Sequence, residues 1–292
     1  MRSNSRIALL DVGGTFVKSS LGIAGQGACE GTFACTPISS DGSAEEIETS
    51  LRAAVSLQVE RAKGAGLTIE AVCAALPGPF DYAGGIFMMK HKFVSVYGRS
   101  FREILGDVIG PEVRLAFVHD VNGALLGVLT ADESFKKGNV ALSTLGTGLG
   151  FAYAVDGVIQ KSPSGSPAVN LWNAPYEGGL LEDFVSRRAI LRFFEELGGV
   201  MEAGDDVKEI AEKARKGDVK AMEAFRAAAR HYACGARETL ERLEIRHLFF
   251  GGQIARSFDL MEKEVREGLP EAIQISVLDD IQGTVLVGIT SL

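Results

Sequence analysis

The chain is poor in cysteine, and its four cysteines are not arranged for metal or disulfide chemistry. They stand at positions 29, 35, 73 and 234, with no Cys-x-x-Cys pair and no histidine at ligand spacing. Neither a structural zinc site nor a disulfide framework is expected, and free thiols in a reducing compartment are the simpler account. No apolar run approaches the ~18 residues of a membrane-spanning helix. The opening apolar stretch, Ile7-Ala8-Leu9-Leu10, is too short for a signal peptide. A cytoplasmic protein without a membrane partner is expected. Basic charge is scarce too: 30 Lys and Arg against 38 Asp and Glu give a net charge of −8. Phosphate-backbone binding needs a concentrated cationic face, so nucleic acid is not an expected partner, and the acidic excess reads as solubility.

Glycine is abundant, 35 of 292 residues against a usual ~7%. Without a repeat, that excess signals tight turns and places where backbone comes close to something else. With 46% hydrophobic and 23% charged residues, disorder, collagen and coiled coil are excluded. The length suits two domains of about 150 residues each.

Residues 7–10 read as a buried strand ending at Asp11 and Gly13-Gly14, and residues 16–24 as its hairpin partner. Residues 43–62 read as a helix, opened by a Ser43/Glu46 capping box and carrying Ile47, Leu51 and Val55 on one face. Residues 71–75 form a short strand closed by Pro77-Gly78-Pro79, and 113–118 a strand ending at His119-Asp120. Residues 139–144 and 149–155 flank a glycine turn. Helices are expected at 180–197, at 218–243 and from Phe258, with an exposed, alternately charged one over 202–216. Residues 247–250 form a strand running into Gly251-Gly252, and apolar segments 273–278 and 285–289 close the chain. Strands mixed with helices throughout give an α/β class. The expected division is an N-terminal domain of 1–118 plus 279–292 and a larger domain of 119–278.

Three glycine turns carry chemical potential. In Asp11-Val12-Gly13-Gly14-Thr15, paired glycines expose backbone N–H groups to an anion, Thr15 adds a hydroxyl, and Asp11 could hold hydrated Mg²⁺. The alternative is an ordinary hairpin turn. Leu145-Gly146-Thr147-Gly148-Leu149-Gly150 is a second such turn. It is neither a Rossmann fingerprint, since Phe151 stands where a third glycine belongs, nor a P-loop. Gly251-Gly252 is either a site for adenine or ribose against bare backbone or a plain strand-to-helix turn. Asp120, at a strand end, suits general-base work on a substrate hydroxyl, and equally caps a helix beginning near Asn122.

Taken in order, Asp11-x-Gly-Gly-Thr, Pro77-Gly78-Pro79, Asp120-x-Asn122-Gly-Ala, Leu145-Gly-Thr-Gly-Leu-Gly and Gly251-Gly252 resemble the ROK family, which holds sugar kinases, sugar-sensing repressors and open reading frames of unknown role. The resemblance spans nearly the whole chain. It implies the actin-like ATPase (ribonuclease H-like) fold of hexokinases and heat-shock ATPases, with two α/β domains about a cleft for ATP, Mg²⁺ and sugar. It implies a first phosphate loop of Asp11, Gly13, Gly14 and Thr15, with Lys18 in the nucleotide set, and a second of Gly146, Thr147 and Gly148. Gly251 and Gly252 would face adenosine, Asp120 would be the catalytic base, and Gly78 and Glu182 would bind the sugar. A homodimer is also implied, although no sequence pattern locates its interface.

The chain departs from that pattern on its sugar side. Leu180 stands where the family's last zinc cysteine belongs, the Glu-x-Gly-His element is missing, and His119 replaces the family's asparagine before the catalytic Asp. Asn170, Trp172, Asn173 and His119 remain candidate sugar contacts, with Trp172 equally a core residue. His91, Lys92 and Arg99 fall in a loop read as solvated, and His231 and His247 as packed. The expected function is ATP-dependent phosphotransfer to a sugar hydroxyl. The alternatives are a polyphosphate-dependent sugar kinase and a non-catalytic sugar- or nucleotide-responsive regulator. The few residues before the first strand leave no room for a repressor's N-terminal helix-turn-helix.

Overall fold

A computed structural model of the chain describes residues 4–292. They form two compact units, one of residues up to 134 with 159–168 and 282–292, the other of residues 135–158 with 169–281. The first unit therefore runs past the expected boundary at 118/119 and keeps the helix that follows Asp120. That helix and the last one of the chain interlock within it.

In the first unit, β1 (Ser5–Val12) and β2 (Phe16–Ile23) form the expected antiparallel hairpin. The short strands β3 (Gly27–Ala28) and β4 (Ala34–Pro37) pair with β2. Helix α1 (Ala44–Gly64) starts at the Ser43/Glu46 capping box and buries Ile47, Leu51 and Val55 as its period requires. Then β5 (Thr68–Leu76) adds parallel to β1. After it come a small hairpin, β6 (Phe80–Asp81) and β7 (Ile86–Phe87), and the one-turn helix α2 (Phe101–Leu105). Strand β8 (Arg114–His119) adds parallel to β5 and leads into α3 (Asp120–Ala131). The sheet order is β3-β2-β1-β5-β8.

The second unit repeats this plan. Strands β9 (Asn139–Leu145) and β10 (Leu149–Val155) form the hairpin, and β11 (Val158–Ile159) lies at the sheet edge. A loop holds β12 (Pro175–Tyr176) and β13 (Gly179–Leu180). The helices are α4 (Glu182–Val185), α5 (Arg187–Glu196), α6 (Val207–Arg215) and α7 (Val219–Arg242). Strand β14 (His247–Gly251) pairs parallel with β9, helix α8 (Glu262–Gly268) follows, and β15 (Gln274–Val277) pairs parallel with β14. The order β11-β10-β9-β14-β15 matches β3-β2-β1-β5-β8 strand for strand about its hairpin. Helix α7 is the core of this unit, with Ala229, Tyr232, Ala233, Ala236 and Leu240 buried and Tyr232 hydrogen-bonded to Ser143 Oγ at 2.5 Å.

Three expected helices differ. The 180–197 segment breaks at Ser186, which is extended, because the next N–H, that of Arg187, donates to Gly146 O (2.8 Å). Of 202–216 only α6 is helical. It starts at an Asp206/Glu209 capping box and buries Val207, Ile210, Ala211 and Ala214, so it is amphipathic rather than exposed all round. At Phe258 the chain is still in a tight 3-10 stretch, Ile254–Leu260, kinked at Ser257, and the α-helix begins at Glu262. The final apolar segment is helix α9 (Ile281–Ile289).

Helices α3 and α9 touch backbone to backbone. A Cβ at Gly127 would stand 1.9 Å from Thr284 O, and one at Gly288 would stand 2.1 Å from Gly123 O. Gly123 and Gly127, four apart, share one helix face. Alanine at Gly127 should therefore destabilise the protein by about 1–3 kcal/mol through overpacking, despite alanine's helix preference of up to ~1 kcal/mol. Gly64→Ala, at the end of α1 with open space around it, should be neutral or stabilising. Thermal unfolding of the two variants checks this; a Gly127→Ala protein as stable as wild type contradicts the close contact.

Candidate active site

The parallel strands of the first unit end together. Asp11 pairs with Ala75, Ala75 with Val118, and Leu76 with His119. The chain leaving β1 at Asp11, β5 at Pro77-Gly78-Pro79 and β8 at His119-Asp120 is thus gathered at one edge of the sheet. Ligands of α/β sheets bind at this carboxyl edge.

The first turn is fixed by its own backbone. Gly13 N–H donates to Phe16 O at 2.9 Å, Ser40 N–H to Gly14 O at 2.9 Å and Ile38 N–H to Thr15 O at 3.0 Å. Asp11 is paired across the hairpin with Lys18, whose Nζ lies 3.3 Å from Oδ2; their side chains are 15% and 23% exposed. Burial pushes the Asp11 carboxyl above its ordinary range and the negative charge of Asp120 adds to this, while Lys18 works against both. A carboxylate so placed gains from a second cation, which is the donor chemistry Mg²⁺ takes from one carboxylate and water.

Helix α3 begins at Asp120, with His119 rather than Asp120 in the capping position. Asp120 Oδ1 accepts from Val121 N–H at 2.7 Å and lies 2.7 Å from His119 Nδ1. Desolvation acts to raise the Asp120 carboxyl, but His119, the Val121 N–H and the charge of Lys92 outweigh it and hold it below the usual carboxylate range. Tyr82 is buried nearby, its hydroxyl donating to Leu76 O at 3.1 Å. Its ionisation is pushed upward by burial and by the charge of Asp120. Gly78 keeps this space open: a Cβ there would stand 3.3 Å from both His119 Cδ2 and Tyr82 Oη, and 3.5 Å from Ser166 Oγ. Asn122 Nδ2 donates to Gly165 O at 3.2 Å, and its buried Oδ1 has no partner.

The second unit gathers its own set. Gly146 N–H closes the β9–β10 turn on Gly148 O at 3.1 Å. Glu182 Oε2 accepts from Leu149 N–H at 2.9 Å, and a Cβ at Gly148 would stand 2.5 Å from the same oxygen. Glu182, expected at the sugar, thus clasps the second turn, with Arg188 Nη2 3.6 Å from its other oxygen. Gly252 has φ +96° and lies against β9, where a Cβ would stand 2.3 Å from Leu145 O; its neighbour Gly251 packs on Ile281. Close packing therefore accounts for this pair. Nothing lies within 4 Å of a Cβ at Gly146. Beside Gly146 and Thr147 opens a cavity of about 520 Å³, lined among others by Arg187, Val207, Arg215, Ile254 and Arg256. Its size suits a small-molecule ligand, and its wall mixes apolar and cationic groups with the acidic Asp206 and Glu212. Asn170 and Trp172 lie in the loop before β12, both exposed, Trp172 by 44%, and Glu182 N–H donates to Trp172 O at 3.4 Å.

Some site residues were under-read or missed. Lys92, in a loop expected either to be solvated or to border the cleft, is half-buried, and its charge bears on Asp120. Tyr82 and Ser166 follow only from the three-dimensional proximity of Gly78, and no local pattern marks them. Around β12 and β13, Tyr176 hydrogen-bonds His231 Nδ1 at 3.0 Å, Phe184 lies tilted at 4.9 Å from the same ring and Phe193 stacks on it at 5.5 Å, so His231 is packed as expected. Among the described residues no cluster of three or more His, Cys, Asp or Glu is placed to hold a metal, and no helix is long and apolar enough to cross a membrane.

Two hairpin-led sheets of the same strand order, each followed by helices, are the actin-like ATPase fold, and solved structures share it along the whole chain. A ROK family glucokinase from Streptomyces griseus in complex with glucose and AMPPNP matches at 20% identity and TM-score 0.76, over 98% of both chains. A ROK family protein from Streptococcus pneumoniae in complex with sucrose matches at 19% identity and TM-score 0.77, over 98% of this chain and 96% of that one. A ROK family transcriptional regulator, a homolog of the E. coli MLC protein, matches at 16% identity and TM-score 0.78, over 99% and 78%. No match is found among curated proteins. The family model of the ROK family matches residues 10–278, and the chain belongs to that family.

The Asp11–Lys18 pair yields a signed prediction. A carboxyl whose folded-state titration lies above its unfolded value makes folding less favourable once pH rises through that raised value. Removing Lys18 should enlarge that cost. Lys18→Met should lower the melting temperature by several degrees near pH 8 and by progressively less as acid pH returns the proton to Asp11. Thermal melts across pH check it; a loss equal at both ends contradicts the pairing.

Proposed function

We propose that the chain transfers the terminal phosphoryl group of ATP to a hydroxyl of a sugar. The observation that carries this reading is the gathering of Asp11, the Gly13-Gly14-Thr15 turn and Asp120 at the same edge of the sheet, where the parallel strands β1 and β8 end on either side of β5. Phosphoryl transfer needs positioned anion-binding backbone, a metal-binding carboxylate and a basic group at the attacking hydroxyl. Membership in the ROK family and the glucose and AMPPNP of one relative are consistent with it.

In this reading Gly13, Gly14, Thr15 and Lys18 are the phosphate-binding residues of the first unit, and Gly146, Thr147 and Gly148 are those of the second unit. Asp11 holds Mg²⁺ through water, and the metal, when bound, neutralises phosphate charge. The cavity beside Gly146 takes the nucleoside. Two of its cations are already matched, Arg187 by Asp206 at 2.7 Å and Arg215 by Asp259 at 2.6 Å. That matching favours a nucleotide over a bare polyphosphate, which would need more free positive charge. Asp120 makes the head of α3 basic, and Gly78, His119 and Ser166 line the acceptor side. With Glu182 engaged at Leu149 and no Glu-x-Gly-His element, the acceptor differs from plain glucose in what it asks of the site. The same departures support a second reading, a sugar-binding regulator without turnover.

A panel of sugars with Mg-ATP, followed by ADP release, separates the readings. Turnover on at least one sugar is expected, with ATP preferred to polyphosphate. Asp120→Asn should lower kcat by at least ~10²-fold while nucleotide affinity stays within a few fold. Sugar binding in calorimetry with no turnover on any acceptor favours the regulator, and a near-normal rate in Asp120→Asn removes Asp120 from the chemistry.

A further inference from the structure

Transfer to a neutral sugar leaves the basic run Lys90-His91-Lys92 without a task. It lies in the segment between β7 and α2, and backbone bonds fix both of its flanks. Met88 N–H donates to Pro79 O at 3.3 Å, in the bend that carries Gly78. Phe93 is buried, and its N–H donates to Ser40 O at 2.7 Å, beside the turn at Gly14 that the Ser40 N–H holds. Lys92 is thus tethered between the acceptor bend and the first glycine turn. Its two basic neighbours face elsewhere: Lys90 Nζ lies 5.6 Å over the Tyr97 ring and His91 is exposed. Lys92 is half-buried and its charge reaches Asp120, yet among the described residues no carboxylate lies within 4 Å of its Nζ. Lys18, by contrast, is matched by Asp11 at 3.3 Å. A cation that has given up part of its water without gaining an ion-pair partner favours an anion brought by a ligand.

The rest of this edge also offers donors rather than acceptors. Asn122 Nδ2 ties the loop at Gly165 to α3, which sets Ser166 Oγ beside Gly78. Ser164 Oγ donates to Ser166 Oγ at 3.3 Å, and no acceptor among the described residues takes the Ser166 hydrogen. The Asp81 carboxylate, in the hairpin leading to Lys92, is turned back onto the N–H groups of Ala83 and Gly84 at 3.1 and 3.0 Å. A neutral hexose presents many hydroxyl hydrogens and is held by carboxylate and amide oxygens. Here Asp120 is the carboxylate left to face it, and the Glu-x-Gly-His element of the family pattern is missing.

We infer that the acceptor is an acidic sugar whose anionic group, a carboxylate or a phosphate, pairs with Lys92, and that Ser166 donates to one of its oxygens. The inference rests on the phosphotransfer reading and names the class of its acceptor. It makes Lys92 the residue that separates charged from neutral sugars, while Asp120 keeps its place at the attacking hydroxyl.

The test is kcat/KM with Mg-ATP for hexoses, each against its matching uronate, aldonate and hexose phosphate. At least one acid should exceed its neutral parent by roughly 10- to 100-fold, the range of a charge-assisted hydrogen bond. Uronates and aldonates outrunning hexose phosphates identifies the carboxylate as the anion, and the reverse order identifies the phosphate. Lys92→Met, which keeps the length of the side chain and drops its charge, should lower that acid-to-neutral ratio by a similar factor, mainly through KM, and Lys92→Arg should retain most of it. A wild type that prefers each neutral hexose to its acids overturns the inference and leaves phosphotransfer standing. An equal loss on acids and neutral sugars in Lys92→Met also overturns it, since the lysine would then serve Asp120 or the transferred phosphoryl group. A wild type inactive on every acceptor defeats the phosphotransfer reading. Calorimetry then decides the charge preference by itself: tighter binding of acids than of hexoses, lost in Lys92→Met, supports it, and no such difference overturns it.

Discussion

The contact between His119 and Asp120 organises the candidate site. It stands where β8 becomes α3, so one short contact fixes the direction of a carboxylate at the head of the helix that His119 caps. The cost of holding a carboxylate there is met locally, by a backbone N–H, the histidine and the charge of Lys92. Asp11, two strands away along the same edge, has a single close cation and is pushed toward its neutral form. The two carboxylates thus have different environments and suit different roles, one toward a metal and one toward a proton.

The second unit uses the same hairpin-led sheet for a different purpose. Its first turn is clasped by Glu182 through Leu149 N–H and by the start of α5 through Arg187 N–H. Those two contacts explain why the expected single helix over 180–197 is broken, since an unbroken helix would have used the Arg187 N–H internally. They also place Glu182, expected at the sugar, against the β9–β10 glycine turn. The packing of Tyr176, Phe184 and His231 lies in the same stretch, beside the position where the family pattern has its last zinc cysteine.

Much of the fold was legible because its signals are local. The Ser43/Glu46 capping box, the apolar period of residues 47–55 and the glycine turns at 13–14 and 146–148 each specify their own geometry. The break at Ser186 was not legible, because it depends on a hydrogen bond to a residue forty positions away. The 3-10 stretch before α8 and the buried face of α6 were likewise decided by packing. In the site, Asp11, His119 and Asp120 announced themselves as polar residues at strand ends. Tyr82, Ser166 and the part played by Lys92 did not, since register between β5 and β8, rather than any motif, brings their segments together. Gly252 shows the converse: its glycine is required by the backbone of Leu145, a reason the sequence left undecided between ligand and turn.

The central claim is that this chain moves a phosphoryl group onto a sugar hydroxyl and not onto water. Phosphorus NMR of Mg-ATP with the protein, recorded with and without an acceptor sugar, tests it most directly. The account predicts that the γ-phosphate resonance decays only when acceptor is present and reappears as a phosphomonoester. Decay at the same rate to inorganic phosphate without sugar, or no decay with any sugar, would contradict it.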